Sequence, residues 1–170
     1  VGLSKLMRYS INYGRVEVEL STDLEYIETY LMLQKSRYGS RLECSVEVEP
    51  ELLHCKVPKL LLQPLIENSI VHNAEKTEYM YVQLRGFRLD DKICFTIVDN
   101  GQGVGPGQLY ELQQMLQHNS ATPEHIGLYN VHRTIQLMYG EEYGITLQSV
   151  YNHGMKIQVV IPYRGGDKDV

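Results

Sequence analysis

The period of the apolar positions changes several times along the chain, and each change marks an element. Leu3, Leu6, Met7 and Ile11 recur at helical spacing, which predicts a helix end or coiled stub over residues 3–13. Residues 14–20 read as a linker. Ser21-Thr22-Asp23 offers N-cap oxygens ahead of Leu24, Ile27, Leu31 and Tyr38, so a helix is expected there, ending at Gly39. Leu42, Cys44, Val46 and Val48 then alternate with polar residues, the period of a half-buried strand. Val57-Pro58 is expected to start a second helix through Leu61, Leu62, Leu65, Ile66 and Ile70. Strands over 78–88 and 92–98 enclose an Asp90-Asp91 hairpin turn. Residues 104–125 carry Gly, Pro, Ser and Asn at both ends around Leu109, Leu112, Met115 and Leu116, which predicts a mobile connection holding one short helix. Gly127 opens a helix to Tyr139. Ile145–Val150 and Met155–Ile161 form a closing hairpin with Asn152-His153-Gly154 at its tip. The order of these elements predicts an α+β fold, an antiparallel sheet covered on one face by helices.

Composition narrows the classes of function. The 170 residues suffice for one well-cored domain with a short appendage. Hydrophobic residues are 43% and charged residues 22%, as in ordinary globular domains. The net charge of −5, without a basic stripe carrying interleaved aromatics, argues against nucleic acid as a partner. Cys44, Cys55 and Cys94 are odd in number, lack C-x-x-C spacing and sit in apolar contexts, so reduced core thiols are expected. The apolar run from Leu60 to Ile70 is broken by Gln63, Pro64, Glu67 and Asn68 and cannot span a bilayer. Opening on Val1-Gly2, the chain reads as a piece of something larger.

Two stretches carry chemistry. Asp99-Asn100-Gly101-Gln102-Gly103 follows the alternating run Ile93 to Val98, so a strand delivers a carboxylate to its own end and turns sharply. Glycine lets the backbone there approach a ligand closely; a plain strand-end turn uses the same residues. About thirty residues upstream, Glu67, Asn68 and His72 are polar positions in a segment otherwise suited to burial. Asn68 and His72 are four apart and share a helix face, with Glu67 rotated about 100° from Asn68. Either these groups form a solvated stripe, or they are enclosed and require partners.

Leu60-Leu61-Leu62-Gln63-Pro64-Leu65-Ile66-Glu67-Asn68-Ser69-Ile70-Val71-His72 resembles the N box of LytS-like sensor histidine kinases. Asp99 to Gly103 is similar to their first glycine box, and His125-Ile126-Gly127-Leu128-Tyr129-Asn130-Val131 to the second. Tyr139 to Gly144 and the strand from Gly154 to Pro162 also match the family's order. Leu3 to Ile11 and Leu24 to Arg41 resemble the end of a dimerisation hairpin and the helix leading into the catalytic domain. The resemblance implies a two-layer α/β sandwich of the Bergerat (GHKL) ATP-binding type, with an N-terminal helical stub from the dimerisation region. Residues 1–20 would be the end of the dimerisation helix and a linker, 21–165 the catalytic ATP-binding domain, and 166–170 a disordered tail. ATP would lie between the N-box helix and a lid at residues 104–125.

The resemblance assigns roles residue by residue. Asp99 would accept a hydrogen bond from the adenine amine and reject guanine, which presents an oxygen there. Gly101 and Gly103 would let the turn approach the base, with Ile97 and Val104 as apolar walls. Asn68 would ligate Mg²⁺ alongside phosphate and water oxygens, and Glu67 would serve as base or proton relay. His72 would contact ribose or phosphate, or lie on the surface. Gly127 would open a helix whose free N–H groups face phosphate, with His125 and Leu128 in the same box. Asn130 would bind nucleotide or cap locally, and Arg133 is either a phosphate contact or a surface cation. The implied activity is transfer of the ATP γ-phosphoryl to a histidine of the upstream dimerisation domain, for relay to a response regulator. The implied parent is a bacterial homodimer, anchored in the membrane by upstream segments with this region in the cytosol.

Val71, His125 and Met155 depart from the family's basic residue, glycine and threonine. Between Gly101 and His125 there is no Lys or Arg. Weak, strongly Mg²⁺-dependent ATP binding is therefore expected. None of the six histidines stands in the Pro-His-Phe context of the family's phosphoacceptor, so transfer requires an acceptor supplied from elsewhere. Two other readings stay open: a degenerate nucleotide-sensing or scaffolding module, and a serine kinase acting on an anti-sigma antagonist, which the leader segment disfavours.

Overall fold

The structure, a computed structural model, describes residues 17–118 and 125–164. The expected stub over 3–13, the start of the linker, part of the lid and the tail lie outside them. Strand β1 (Glu17–Glu19) leads directly into helix α1 (Leu20–Tyr38). Strands β2 (Leu42–Val48) and β3 (Lys56–Pro58) follow, then helix α2 (Gln63–Ala74). A hairpin, β4 (Met80–Leu89) and β5 (Lys92–Asp99), precedes helices α3 (Pro106–His118) and α4 (Ile126–Tyr139). Strands β6 (Gly144–Ser149) and β7 (Met155–Pro162) close the fold.

The main sheet has the order β2-β4-β5-β7-β6. Strand β2 runs parallel to β4 and every other neighbouring pair is antiparallel, so the sheet is mixed rather than purely antiparallel. Alternation sorts its faces: Val82, Leu84, Phe95, Ile97, Ile157, Val159 and Leu147 point into the core, while Gln83, Arg85, Thr96 and Lys156 look outward. The helices cover the inner face, α1 against β2, α2 against β4 and β5, α4 against β6 and β7. No helix among the described residues is long and apolar enough to cross a membrane.

Four expectations change. Residues 17–19 are not linker but a strand antiparallel to β3, with Glu17 opposite Pro58. That pairing also takes Val57-Pro58 out of the second helix, which begins at Gln63 with Pro64 in its first turn; the turn between them holds Leu60 at φ 60°. Ser21-Thr22-Asp23 does not cap α1, because the N–H groups of Leu20 and Ser21 donate to the carbonyls of Cys55 and Leu53. Asp23, buried, instead accepts the Leu60 N–H at 3.1 Å. The lid segment is more structured than expected. Thirteen residues form α3, with Leu112, Met115 and Leu116 buried, and Gln113 Nε2 donates to the Leu147 carbonyl at 3.2 Å. Asp90 at φ 54° and Gly39 at φ 59° turn the chain where the sequence placed turns.

Candidate functional site

Helix α2, the end of β5 and the start of α4 converge on one cleft of about 200 Å³. Of the predicted residues, Asn68, His72, Asp99, Gly103, Val104, His125 and Leu128 line it. Asp99 is buried, and its Oδ1 receives the Gly101 N–H at 2.9 Å and the Met155 N–H at 3.3 Å. Its Oδ2 makes no hydrogen bond among the described residues. One carboxylate therefore caps its turn with one oxygen and presents the other to the cleft.

The turn after Asp99 is fixed by packing. A Cβ on Gly101 would lie 1.8 Å from Asn73 Oδ1, so this glycine admits the α2 side chain rather than a ligand. Gly103 sits at φ 60°, and a Cβ there would come within 2.5 Å of the Val150 carbonyl. Val104 N–H donates to Ser149 Oγ at 2.9 Å, and that hydroxyl donates to the Gly154 carbonyl at 2.8 Å. Asn100 is bound to β4: its Oδ1 accepts the Tyr81 N–H at 2.7 Å and its Nδ2 donates to the Tyr79 carbonyl at 3.0 Å.

The other end is formed by α2 and the start of α4. The half-buried Asn68 carboxamide makes no hydrogen bond among the described residues, and its oxygen suits a hard cation. Gly127 lies over it, its Cβ position 3.5 Å from Asn68 Nδ2. His72 is exposed, and its ring centroid is 6.3 Å from that of His125, which stands at the start of α4 without a side-chain cap. The first turn of α4 thus lies beside Asn68.

A family model for the "Histidine kinase-, DNA gyrase B-, and HSP90-like ATPase" matches residues 56–165, the span holding every one of these elements. The chain belongs to this ATPase family. A second model, for histidine kinases, matches residues 1–42. Sensor protein kinase HptS of Staphylococcus aureus (strain USA300) is 32% identical over 168 residues, which is 99% of this chain and 32% of that protein. The chain therefore spans about a third of that relative's length. Among solved structures, the nucleotide-free catalytic domain of histidine kinase ThkA superposes with a TM-score of 0.64 at 16% identity, over 86% of this chain and 94% of that one. Full-length ShkA in complex with AMPPNP gives 0.64 at 15%, over 96% and 35%. ThkA in complex with the response regulator TrrA gives 0.63 at 15%, over 98% and 48%. At these identities the structures establish the ATPase-family fold.

Within that fold four predicted residues, Glu67, Gly101, Gly127 and Asn130, do not line the cleft. Glu67 Oε1 accepts from Gln63 Nε2 at 2.8 Å and lies toward α1, where burial and then the Glu67 charge push the Tyr30 phenol above its ordinary pKa. Gly101 packs on Asn73, as above. Asn130 is exposed in a separate groove with Pro58, Pro64 and Thr134, which Gly127 borders too. Sequence reasoning missed Asn73, Lys76, Gln102 and Tyr151, all cleft-lining. Lys76 was accessible to it: Asn68, His72 and Lys76 continue one i, i+4, i+8 stripe. His132, buried on α4, accepts the Ile145 N–H at Nδ1 (2.9 Å), and burial, with Arg133 adding to it, lowers its pKa.

Proposed function

We propose that this chain is the ATP-binding catalytic domain of a LytS-like sensor histidine kinase. It transfers the ATP γ-phosphoryl to an imidazole nitrogen of an upstream dimerisation domain, giving ADP and protein N-phosphohistidine, for relay to a response regulator. The observation that carries this reading is the single cleft joining the open oxygen of Asp99 to the unbonded carboxamide of Asn68. Adenine occupies the Asp99 end, and guanine is rejected because its keto oxygen meets a carboxylate that can only accept. The triphosphate extends toward Asn68, His72, Lys76 and the start of α4. Asn68 holds Mg²⁺, which neutralises phosphate charge during in-line transfer.

Glu67 is bonded to Gln63 away from the cleft, so this chain contributes orientation and charge neutralisation rather than a base. The segment ahead of β1 belongs to the dimerisation region, and β1 opens the catalytic unit; the parent is a membrane-anchored homodimer with this domain in the cytosol. The HptS likeness, and the ShkA and ThkA folds solved with AMPPNP and with a response regulator, support the reading. A nucleotide-sensing module without transfer is the second reading. It is favoured by Lys76 being the only Lys or Arg lining the cleft among the described residues.

Titration with a fluorescent ATP analogue, using Asn68→Ala and Asp99→Asn as controls, tests binding. Incubation with γ-³²P-ATP and the parent's dimerisation domain separates the two readings. A kinase yields acid-labile label on that domain; binding without label leaves the sensing module.

A further inference from the structure

We infer that Asn73 is a second specificity-determining residue of the cleft, accepting one hydrogen of the base's exocyclic amine while Asp99 accepts the other. The inference rests on the reading that adenine lies at Asp99. Asn73 is 7% exposed and lines the cleft. Its Nδ2 donates to the Ser69 carbonyl at 2.7 Å. A carbonyl can only accept, so the carboxamide cannot be flipped and Oδ1 is fixed on the far branch. Oδ1 makes no hydrogen bond among the described residues, and it lies against Gly101, 1.8 Å from where a Cβ would be.

The Gly101 N–H is already given to Asp99 Oδ1, so it does not serve Asn73. Asn73 and Asp99 thus line the same end of the cleft, each with one oxygen that has no donor among the described residues. An amide oxygen that a bound base covers without giving it a donor is unfavourable, and a primary amine brings two N–H groups to such a pair. A keto oxygen brings none, and an N-methylated amine brings one. The cleft is therefore built to read a primary amine, a finer discrimination than one carboxylate provides.

The test compares dissociation constants for ATP, N6-methyl-ATP and purine riboside triphosphate, which lacks the amine. Wild type should bind ATP about tenfold tighter than N6-methyl-ATP. In Asn73→Leu, which keeps the volume without the acceptor, the ratio should fall to within about twofold, while both remain tighter than purine riboside triphosphate through Asp99. Asn73→Ala, read in the same assay, keeps the test decisive if the Leu variant does not fold. An unchanged ATP to N6-methyl-ATP ratio in the variants overturns the role of Asn73 alone. Equal wild-type affinity for ATP and purine riboside triphosphate overturns the adenine reading and this inference with it.

Discussion

The two ends of the cleft are made differently. At the Asp99 end, strand β5 runs into a turn whose groups are already committed: Asp99 Oδ1 to two backbone N–H groups, Asn100 to β4, Val104 to Ser149. At the Asn68 end, a helix face offers a carboxamide with no hydrogen bond among the described residues, an exposed His72 and the start of α4, where the His125 side chain makes no cap. The first end is organised before any ligand arrives. The second is completed only by a ligand that brings negative charge and a cation. Loss of a group from the first should weaken recognition of the base, and loss from the second should weaken binding of the phosphates and change its ion dependence.

The largest effect is expected from Asp99→Asn. The new amide can keep its oxygen on the Gly101 N–H only by turning its NH₂ toward the adenine amine, donor against donor. Loss of a charge-assisted bond of about 3 kcal/mol corresponds to about a hundredfold weaker ATP binding, read by calorimetry. Gly101→Ala comes next and strikes the packing beneath that end. Its Cβ would overlap the buried Asn73 carboxamide, and such overpacking costs about 1–3 kcal/mol. Thermal unfolding should drop by about 4–8 °C for a loss near 2 kcal/mol. Asn68→Ala should fold normally and bind ATP about tenfold more weakly, with Mg²⁺ giving little further gain. Tight ATP binding by wild type in EDTA contradicts the picture of a ligand-completed end.

The smallest effect concerns His132, which ties α4 to β6. Its folded pKa lies below the ordinary 6.5 because burial disfavours the imidazolium. As pH falls, the unfolded chain takes up this proton first. The stabilisation is therefore complete above about 6.5 and is lost as pH falls from there through the folded pKa. The unfolding midpoint should decline as pH falls from about 7.5 through about 6.5 and below, and His132→Gln should flatten the decline. An identical slope in the variant assigns the pH dependence to other groups.

Local periodicity made most of this fold legible. β2, the β4–β5 hairpin, α4 and the β6–β7 hairpin stand where alternation and turn residues placed them. The misreadings share a cause: each depended on a partner distant in sequence. Residues 17–19 become a strand only because β3 pairs with them, and Ser21 to Asp23 lose their capping role because the Leu53 and Cys55 carbonyls reach the same N–H groups. Asp99 and Asn68 were legible because a carboxylate at a strand end and a polar stripe on an apolar helix are local anomalies. Asn73 was not, since its place depends on Gly101 arriving across the cleft. Glu67 took its role from the family resemblance, and the structure places its carboxylate on Gln63, near Tyr30 of α1.

The central claim is that Asp99 and Asn68 hold opposite ends of one nucleotide, and calorimetric titration of their two variants with adenosine and with MgATP tests it most directly. Asp99→Asn should weaken both ligands, whereas Asn68→Ala should weaken MgATP and leave adenosine unchanged. Equal losses for both ligands in Asn68→Ala, or unchanged adenosine binding in Asp99→Asn, would contradict it.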